Sequence, residues 1–132
     1  MCKGDKIMKA YLINPREQKI SEVDYDGDFK SICKLIEADI FTAVCPFNNL
    51  DTIYVDDMGL YKEINHCFSV KCDNGKTQDL YGNGLILGTE KNGESMAVKT
   101  SLKEVKKRIS FRGAMHIVTS NNGFEIYPIG VQ

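Results

Sequence analysis

Long apolar runs are missing from the sequence. It has no stretch of eighteen consecutive apolar residues, and residues 1–6 lack the apolar middle region of a secretory signal. These absences predict a cytosolic protein without a membrane partner. An excess of one charge sign is missing as well, because 17 basic and 18 acidic side chains give a net charge of -1. We therefore do not expect nucleic acid or anionic lipid to be attracted by the overall charge.

Paired cysteines of the Cys-x-x-Cys type are also absent, and the cysteine count is odd, at five. We therefore expect reduced thiols. One local cluster offers four metal-ligating side chains within eight positions, namely His66, Cys67, Cys72 and Asp73. A structural zinc site normally combines two closely spaced ligand pairs, so this cluster would need Cys45 or His116 from elsewhere in the fold. We expect no metal and no cofactor.

Catalytic motifs are scarce. The sequence has two histidines, His66 and His116, and neither lies in a nucleophile motif such as Gly-x-Ser-x-Gly. Asp56 and Asp57 follow a predicted strand and could hold Mg²⁺ or act as acid and base. Alternation along a strand sends neighbouring side chains in opposite directions, which favours a turn role for one of them. We expect no enzyme, and a metal-dependent nuclease or hydrolase is the least favoured alternative.

A second acidic segment begins like a calcium-binding loop, with carboxylates at Asp24, Asp26 and Asp28. Such a loop needs glycine at its sixth position and glutamate at its twelfth, where this chain has Phe29 and Leu35. The segment is instead typical of a strand end, a glycine turn and a helix N-cap.

The remaining composition is ordinary for a globular protein, with 132 residues, 42% hydrophobic and 27% charged. This length predicts a single domain over residues 1–132 with one core. Alternating or apolar runs bounded by turn residues predict the following strands: 9–14, 19–25, 40–45, 52–55, 85–90, 95–99, 115–120 and 124–127. The run at 60–70 fits a helix as well as a strand.

Two helices are predicted from apolar spacing and capping residues. Asp28 is a helix N-cap before apolar residues spaced i, i+3, i+4 and i+7 within 29–36. Ser101 and Glu104 match a capping box, which predicts a second helix to about residue 109. Many hairpins and few crossovers indicate an α+β fold, in which a mostly antiparallel sheet of hairpins is covered on one face by the two helices.

Glycines recur between residues 82 and 88. Their spacing does not match the dinucleotide-binding fingerprint, which continues into a helix, so a glycine-rich entry to a buried strand is the favoured interpretation. The alternative is a small-ligand site that supplies stacking, hydrogen bonds and a phosphate partner. This ligand-binding set comprises Tyr81, Gly82, Asn83, Gly84 and Lys99.

Charge is distributed unevenly along the chain. Residues 1–66 carry 8 basic and 12 acidic side chains, whereas residues 67–132 carry 9 and 6. The basic side chains concentrate in the second helix, where they are typical of a solvated face, and no aromatic residues interleave with them as nucleic-acid binding would favour. With the C-terminal hairpin they form the predicted partner-binding set: Lys103, Lys106, Lys107, Arg108, Arg112, Phe124 and Tyr127.

Several short motifs carry a resemblance to a known family. They are Met8-Lys-Ala-Tyr-Leu-Ile-Asn-Pro15, Tyr25-Asp-Gly-Asp-Phe-Lys-Ser-Ile32, Ile53-Tyr-Val-Asp-Asp-Met-Gly-Leu60, Gly82-Asn-Gly-Leu-Ile-Leu-Gly-Thr89 and Lys99-Thr-Ser-Leu-Lys-Glu-Val-Lys-Lys-Arg-Ile-Ser-Phe111. Over residues 8–111 the chain resembles a family of small proteins of unknown function, encoded largely by bacteriophages and other mobile elements. The resemblance implies expression in a bacterial host cytoplasm and supplies no active-site residues.

Two departures from the family pattern matter. Met58 stands where the family more often has an acidic residue, which weakens a metal-binding role for Asp56 and Asp57. Residues 112–132 look like a C-terminal hairpin added to the family-like core.

The leading functional hypothesis is a non-enzymatic phage or mobile-element accessory protein that binds and inhibits a host component, for example as an anti-CRISPR protein. A host protein could pair with the edge strand of the C-terminal hairpin. The alternative is a protein that sequesters a small ligand such as a nucleotide second messenger. Edge strands also leave a homo-oligomer open, because the sequence does not set the number of subunits.

Overall fold

The computed structural model describes residues 7–129, so the N-terminal residues examined for a secretory signal, together with Cys2, lie outside it. The described residues contain two α-helices, α1 (Phe29–Ile36) and α2 (Leu102–Arg108), with a 3-10 turn at Gly59–Tyr61. The strands are β1 (Met8–Asn14), β2 (Lys19–Tyr25), β3 (Phe41–Val44), β4 (Thr52–Asp56), β5 (Ile64–Lys71), β6 (Thr77–Tyr81), β7 (Gly84–Thr89), β8 (Ser95–Met96), β9 (Ile109–Ser120) and β10 (Gly123–Pro128). The fold is α+β, as predicted.

The strands form two sheets rather than the single sheet predicted. The large sheet has the order β2-β1-β7-β4-β3, with β8 beside β7, and the small sheet has the order β10-β9-β5-β6. Every strand pair within residues 7–129 is antiparallel. The segment at 60–70, whose pattern fits a helix as well as a strand, begins in the 3-10 turn and continues as strand β5.

The main core lies between the two sheets. Side chains alternate along β1, so that Tyr11 and Ile13 join a core that includes Phe68 and Val70 of the small sheet. Ala10, which precedes Tyr11, and Leu12, which lies between Tyr11 and Ile13, belong to a second core on the opposite face of the large sheet. Burial of apolar side chains on both faces of the large sheet explains why its central strand β7 has consecutive apolar residues at 85–87.

Helix α1 covers the outer face of the large sheet. Ile32 and Ile36 are buried against Leu85 and Leu87 of β7. The side chain of Asp28 accepts a hydrogen bond from the Lys30 N–H and caps the helix, which confirms the predicted turn and cap in the acidic segment at 24–28.

Helix α2 has a different position. Ser101 Oγ accepts a hydrogen bond from the Glu104 N–H, as the predicted capping box requires, but the Glu104 carboxylate bonds to Arg108 instead of reaching back to the cap. Val105 is fully buried in the core between the sheets. The two helices therefore pack against different cores and do not share one sheet face, which corrects the predicted arrangement.

Strand β9 joins the family-like part of the chain to its C-terminal segment. It pairs with β5 from Val70↔Ile109 to Ile64↔His116, with a bulge next to Cys67, and it pairs with β10 on its other side. Of the C-terminal hairpin predicted at 112–132, the part up to residue 129 is described, and it is continuous with a central strand of the small sheet. Within residues 7–129, no helix combines the length and apolar character needed to cross a membrane.

Candidate functional site

The candidate site is the inter-sheet cleft, a cavity of about 240 Å³ lined by edge strand β3 of the large sheet and edge strand β6 of the small sheet. Its floor is apolar and belongs to the main core, with Val44, Val55 and Leu80 as the floor residues. The 3-10 turn and the β9–β10 hairpin supply the wall, and carboxylates lie at the rim. The cleft therefore combines an apolar base with an acidic opening.

The wall of the cleft is aromatic. The rings of Tyr61 and Phe124 meet edge to face, with centroids 5.1 Å apart and an interplanar angle of 85°, a geometry that aromatic pairs favour. Phe124 and Tyr81 pack against a buried cluster that contains Cys67. Tyr61 itself is 63% exposed, so a large aromatic surface faces solvent at the cleft.

The acidic rim contains one structural and two accessible carboxylates. Asp56 is buried, accepts a hydrogen bond from the Met58 N–H at 2.9 Å and lies 3.3 Å from Lys62 Nζ. Asp57 is exposed and Asp79 is exposed, with Asp79 accepting a hydrogen bond from Ser69 Oγ at 2.5 Å. The neighbours Asp56 and Asp57 thus differ in role, as alternation along the strand predicts.

Two groups behind the wall are held neutral at physiological pH. Burial, followed by the negative charge of Asp79, raises the pKa of the Cys67 thiol to about 11. Burial also raises the pKa of the Tyr81 hydroxyl to about 12. The thiolate is the form of cysteine that reacts and binds metals, so Cys67 acts here as a small buried apolar residue.

The metal-ligating side chains that lie close together in sequence at residues 66–73 are separated in the structure. Cys67 lies in the buried cluster beneath the wall, and His66, the preceding residue of β5, points to the opposite face of the sheet. Asp73 lies 2.7 Å from Arg108. Across residues 7–129, no group of three or more His, Cys, Asp or Glu side chains is placed to hold a metal ion.

The predicted ligand-binding residues lie at the two ends of β7. Tyr81 to Gly84 are at its start, whereas Lys99 Nζ donates to the carbonyl of Thr89 at its end, 3.0 Å away, and to that of Asn49. Five residue steps of a strand separate these ends by about 17 Å. The structure therefore does not bring the five residues into one site.

Close packing explains the glycine-rich segment. A Cβ atom on Gly84 would lie 3.0 Å from the Phe68 ring, and one on Gly88 would lie 2.3 Å from the Ala97 carbonyl oxygen. Both glycines are buried, and neighbouring atoms already occupy the space that a side chain would need. The favoured interpretation, a glycine-rich entry to a buried strand, is confirmed.

The predicted partner-binding residues occupy separate places. Lys103, Lys106 and Lys107 are exposed on α2, whereas Arg108 is held by Asp73 and Glu104. Arg112, Phe124 and Tyr127 follow along the small sheet. Arg112 donates to Ser69 Oγ, Phe124 is in the cleft wall, and Tyr127 is exposed on the other face of β10. About ten residues of β9 place α2 roughly 30 Å from Phe124.

Sequence reasoning found Asp56, Asp57, Tyr81 and Phe124 for separate reasons, and the structure brings these four together. It missed Asp79 because β6 was not predicted. One sign of β6 was present, since the turn at 73–76 lies between a run ending at residue 70 and the apolar pair at 80–81.

Comparison with known proteins identifies the family of the chain. No curated protein and no solved structure matches the chain significantly. A family model described as a domain of unknown function (DUF3846) matches residues 8–110, and the match ends just inside β9. The match covers most of the sequence, so the chain belongs to the DUF3846 family.

Proposed function

We propose that this chain is a non-enzymatic accessory protein of a phage or mobile element that binds and inhibits a protein of its bacterial host. The inter-sheet cleft is its docking surface. The observation that carries this proposal is an open cleft with an apolar floor and an exposed aromatic wall, between two sheet edges with which no other strand of the described chain pairs. The phage setting and the host cytoplasm rest on the resemblance of the sequence motifs.

The lining of the cleft favours a protein as its occupant. Tyrosine and other aromatic residues are enriched at the centres of protein interfaces, where they carry much of the binding energy. Tyr61 and Phe124 provide such a pair, with the apolar floor beneath them. A docked protein would bury the Tyr61 ring, which is now mostly exposed.

The charge of the cleft disfavours a nucleotide. Asp57 and Asp79 place negative charge at the opening. These carboxylates repel a phosphate, which is also negatively charged. Lys99, the predicted phosphate partner, already donates to two backbone carbonyls at the far end of β7. The acidic rim instead favours a partner with a basic surface.

Capture of the host partner tests the docking surface. We would purify tagged protein from its bacterial host and record native mass spectra for wild type and a cleft variant, Asp57→Lys with Phe124→Ser. Wild type should carry a host protein at fixed stoichiometry, and the cleft variant should lose it by about tenfold or more. The control, Lys103→Glu with Lys107→Glu on α2, should retain it. Thermal unfolding of each variant separates lost binding from lost folding.

Inhibition needs a second measurement. Phage plating on a host with an active CRISPR defence should rise when wild type is expressed and stay low with the folded cleft variant. Loss of the partner in the α2 control alone would assign docking to the basic helix and contradict the proposal. A bound molecule of a few hundred daltons in place of a protein would also contradict it, in favour of ligand sequestration.

A further inference from the structure

Among the strands of residues 7–129, none pairs with the outer edge of β6, and this open edge presents main-chain groups to the cleft. Gly82 N–H donates to the His66 carbonyl, and Cys72 N–H donates to the Lys76 carbonyl, both at 2.8 Å. Hydrogen-bonded pairs alternate along an antiparallel ladder, so the residues of β6 bonded to β5 are Gln78 and Leu80. The N–H and C=O groups of the other β6 residues, Thr77, Asp79 and Tyr81, therefore point away from β5.

Two of these residues are accessible to a new strand. The Tyr81 carbonyl is closely approached by the backbone at Gly59, where an added Cβ atom would lie 2.6 Å from the oxygen. Thr77 and Asp79 are exposed, and together they offer two donors and two acceptors. Such an edge pairs with about five residues of an extended segment.

The side chains beside this edge differ between the two faces of the sheet. On the inner face, Leu80 lies with Val44 and Val55 on the floor of the cleft. On the outer face, at the rim of the cleft, Asp79 carries a negative charge and accepts a hydrogen bond from Ser69 Oγ on β5, which itself accepts one from Arg112. A strand added to β6 would place alternate side chains on these two faces, which select apolar and basic residues respectively.

We propose that β6 binds an extended segment of the partner as a fifth strand of the small sheet, and that this segment alternates apolar residues with lysine or arginine. The inference rests on the proposed function, since it names the kind of partner that docks in the cleft. Opposite charges directly across a strand pair are favourable. Strand addition supplies main-chain hydrogen bonds for affinity, and the two faces supply specificity.

A second copy of the chain is a poor occupant of this edge. Antiparallel pairing of β6 with its own copy, centred on Asp79, would set Asp79 opposite Asp79. Like charges across a strand pair are destabilising. Edge strand β3 is also less suitable, because it lines the cleft only through Thr42 and Val44, whereas four consecutive residues of β6 do so, 78–81.

Peptide titration tests the chemistry of the segment. The probe is a nine-residue, end-blocked and fluorescently labelled peptide of alternating valine and lysine, measured by anisotropy. Its Kd should rise about tenfold or more when glutamate replaces lysine, or when alternate amides are N-methylated. The Asp79→Lys variant should weaken binding similarly, whereas Asp24→Lys, a matched charge reversal on edge strand β2, should not.

Amide hydrogen exchange tests the mode of binding. The bound peptide should slow exchange at Thr77 and Asp79, whose N–H groups point outward. It should leave Gln78 and Leu80, already bonded to β5, unchanged. Strand addition would be overturned if N-methylation left the peptide Kd unchanged, or if the Thr77 and Asp79 amides exchanged as quickly with the peptide as without it. The absence of any peptide binding would overturn it as well.

The two proposals can fail separately. If the cleft variant loses the host protein but the peptide does not bind, docking in the cleft stands and strand addition is wrong. If the peptide binds with the expected protection while the folded cleft variant still captures the host protein, the edge is a peptide site and the proposed docking surface is wrong.

Discussion

Asp51 is a fully buried carboxylate that ties two distant parts of the chain together. Its oxygens accept hydrogen bonds from the N–H groups of Lys99 and Thr100 and from the Thr100 hydroxyl, at 3.1, 2.7 and 2.5 Å. The Tyr11 hydroxyl in turn donates to the Thr100 carbonyl at 2.8 Å. A buried charge is tolerated only when such bonds replace its hydration. This carboxylate therefore holds the loop that precedes α2 in place.

We predict that Asp51→Ala lowers the free energy of unfolding by about 3 kcal/mol, because it leaves buried donors on Lys99 and Thr100 without an acceptor. Urea denaturation measures the loss. The control is Asp24→Ala, an exposed carboxylate on β2, which should change stability little. A loss at Asp51 no larger than that of the control would show that water replaces the carboxylate at no cost.

Asp73 links stability to pH. A hydrogen bond from the Asn48 N–H at 2.6 Å, and then the Arg108 guanidinium at 2.7 Å, lower the pKa of the Asp73 carboxyl. A lowered folded-state pKa gives stability that is present above the ordinary value and is lost as the pH falls through the folded value.

The difference in unfolding free energy between wild type and Asp73→Asn should therefore be larger at about pH 7 than at about pH 2. Urea denaturation at both values measures it, with Asp24→Asn as the control for removal of one charge. Equal differences at the two pH values would mean that the carboxylate charge contributes nothing at this position.

Residue roles that depend on neighbours in sequence were predictable. The caps at Asp28 and Ser101 need only a residue two or three positions ahead. Asp79 was not predictable as part of the cleft, because its position depends on strands that are distant in sequence. Asp51 was missed for the same reason, since its partners lie 48 and 49 residues away.

At the scale of elements, hairpins with clear apolar alternation were predicted and a polar edge strand was missed. The hairpins β1–β2, β7–β8 and β9–β10 are confirmed. Strand β6 buries only Leu80 and is otherwise polar or partly exposed, so its pattern resembles a loop. An edge strand needs little apolar burial because one side and one face remain in solvent.

The continuity of β9 also decides how the C-terminal segment behaves. Met115 pairs with Asn65 and His116 pairs with Ile64, so the second half of β9 completes the ladder of β5. It also covers Cys67, in a cluster with Met115 and Ile117. Residues 113–120 and 123–128 are therefore strands of the small sheet.

Removal of residues 113–132 should abolish cooperative thermal unfolding, because it exposes this cluster and leaves half of β5 without its β9 partner. A shorter truncation after residue 121 removes β10 but keeps β9. It should retain a cooperative transition at a lower Tm. Circular dichroism melts of the two truncated chains measure this difference. If the chain without residues 113–132 unfolded with the same Tm and cooperativity as wild type, the segment would be a separable addition.

At the scale of the whole molecule, the division into two sheets was beyond the sequence. Strand β7 pairs with β1 and β4, and β5 pairs with β9 far along the chain. Apolar alternation indicates that a strand has a buried face, but it does not indicate which other strand or sheet packs against that face. The cleft arises where the edges of these two sheets meet, so it appeared only with the structure.

The molecule separates its charges along the small sheet. The exposed carboxylates Asp57 and Asp79 lie at the cleft, and the exposed lysines of α2 lie at the start of β9. Since the total charge is close to zero, attraction of a basic partner depends on the local field of the cleft. Local fields of this kind act mainly on the association rate and are screened by salt.

Association of the valine–lysine peptide should therefore slow about tenfold when sodium chloride is raised from about 50 mM to about 500 mM, whereas the dissociation rate should change much less. Stopped-flow anisotropy measures both rates. In the Asp57→Lys variant the association rate should start lower and depend less on salt, because the field at the opening is weakened. An association rate independent of salt in wild type would mean that the acidic rim does not guide the partner, and the apolar floor alone would then have to account for binding.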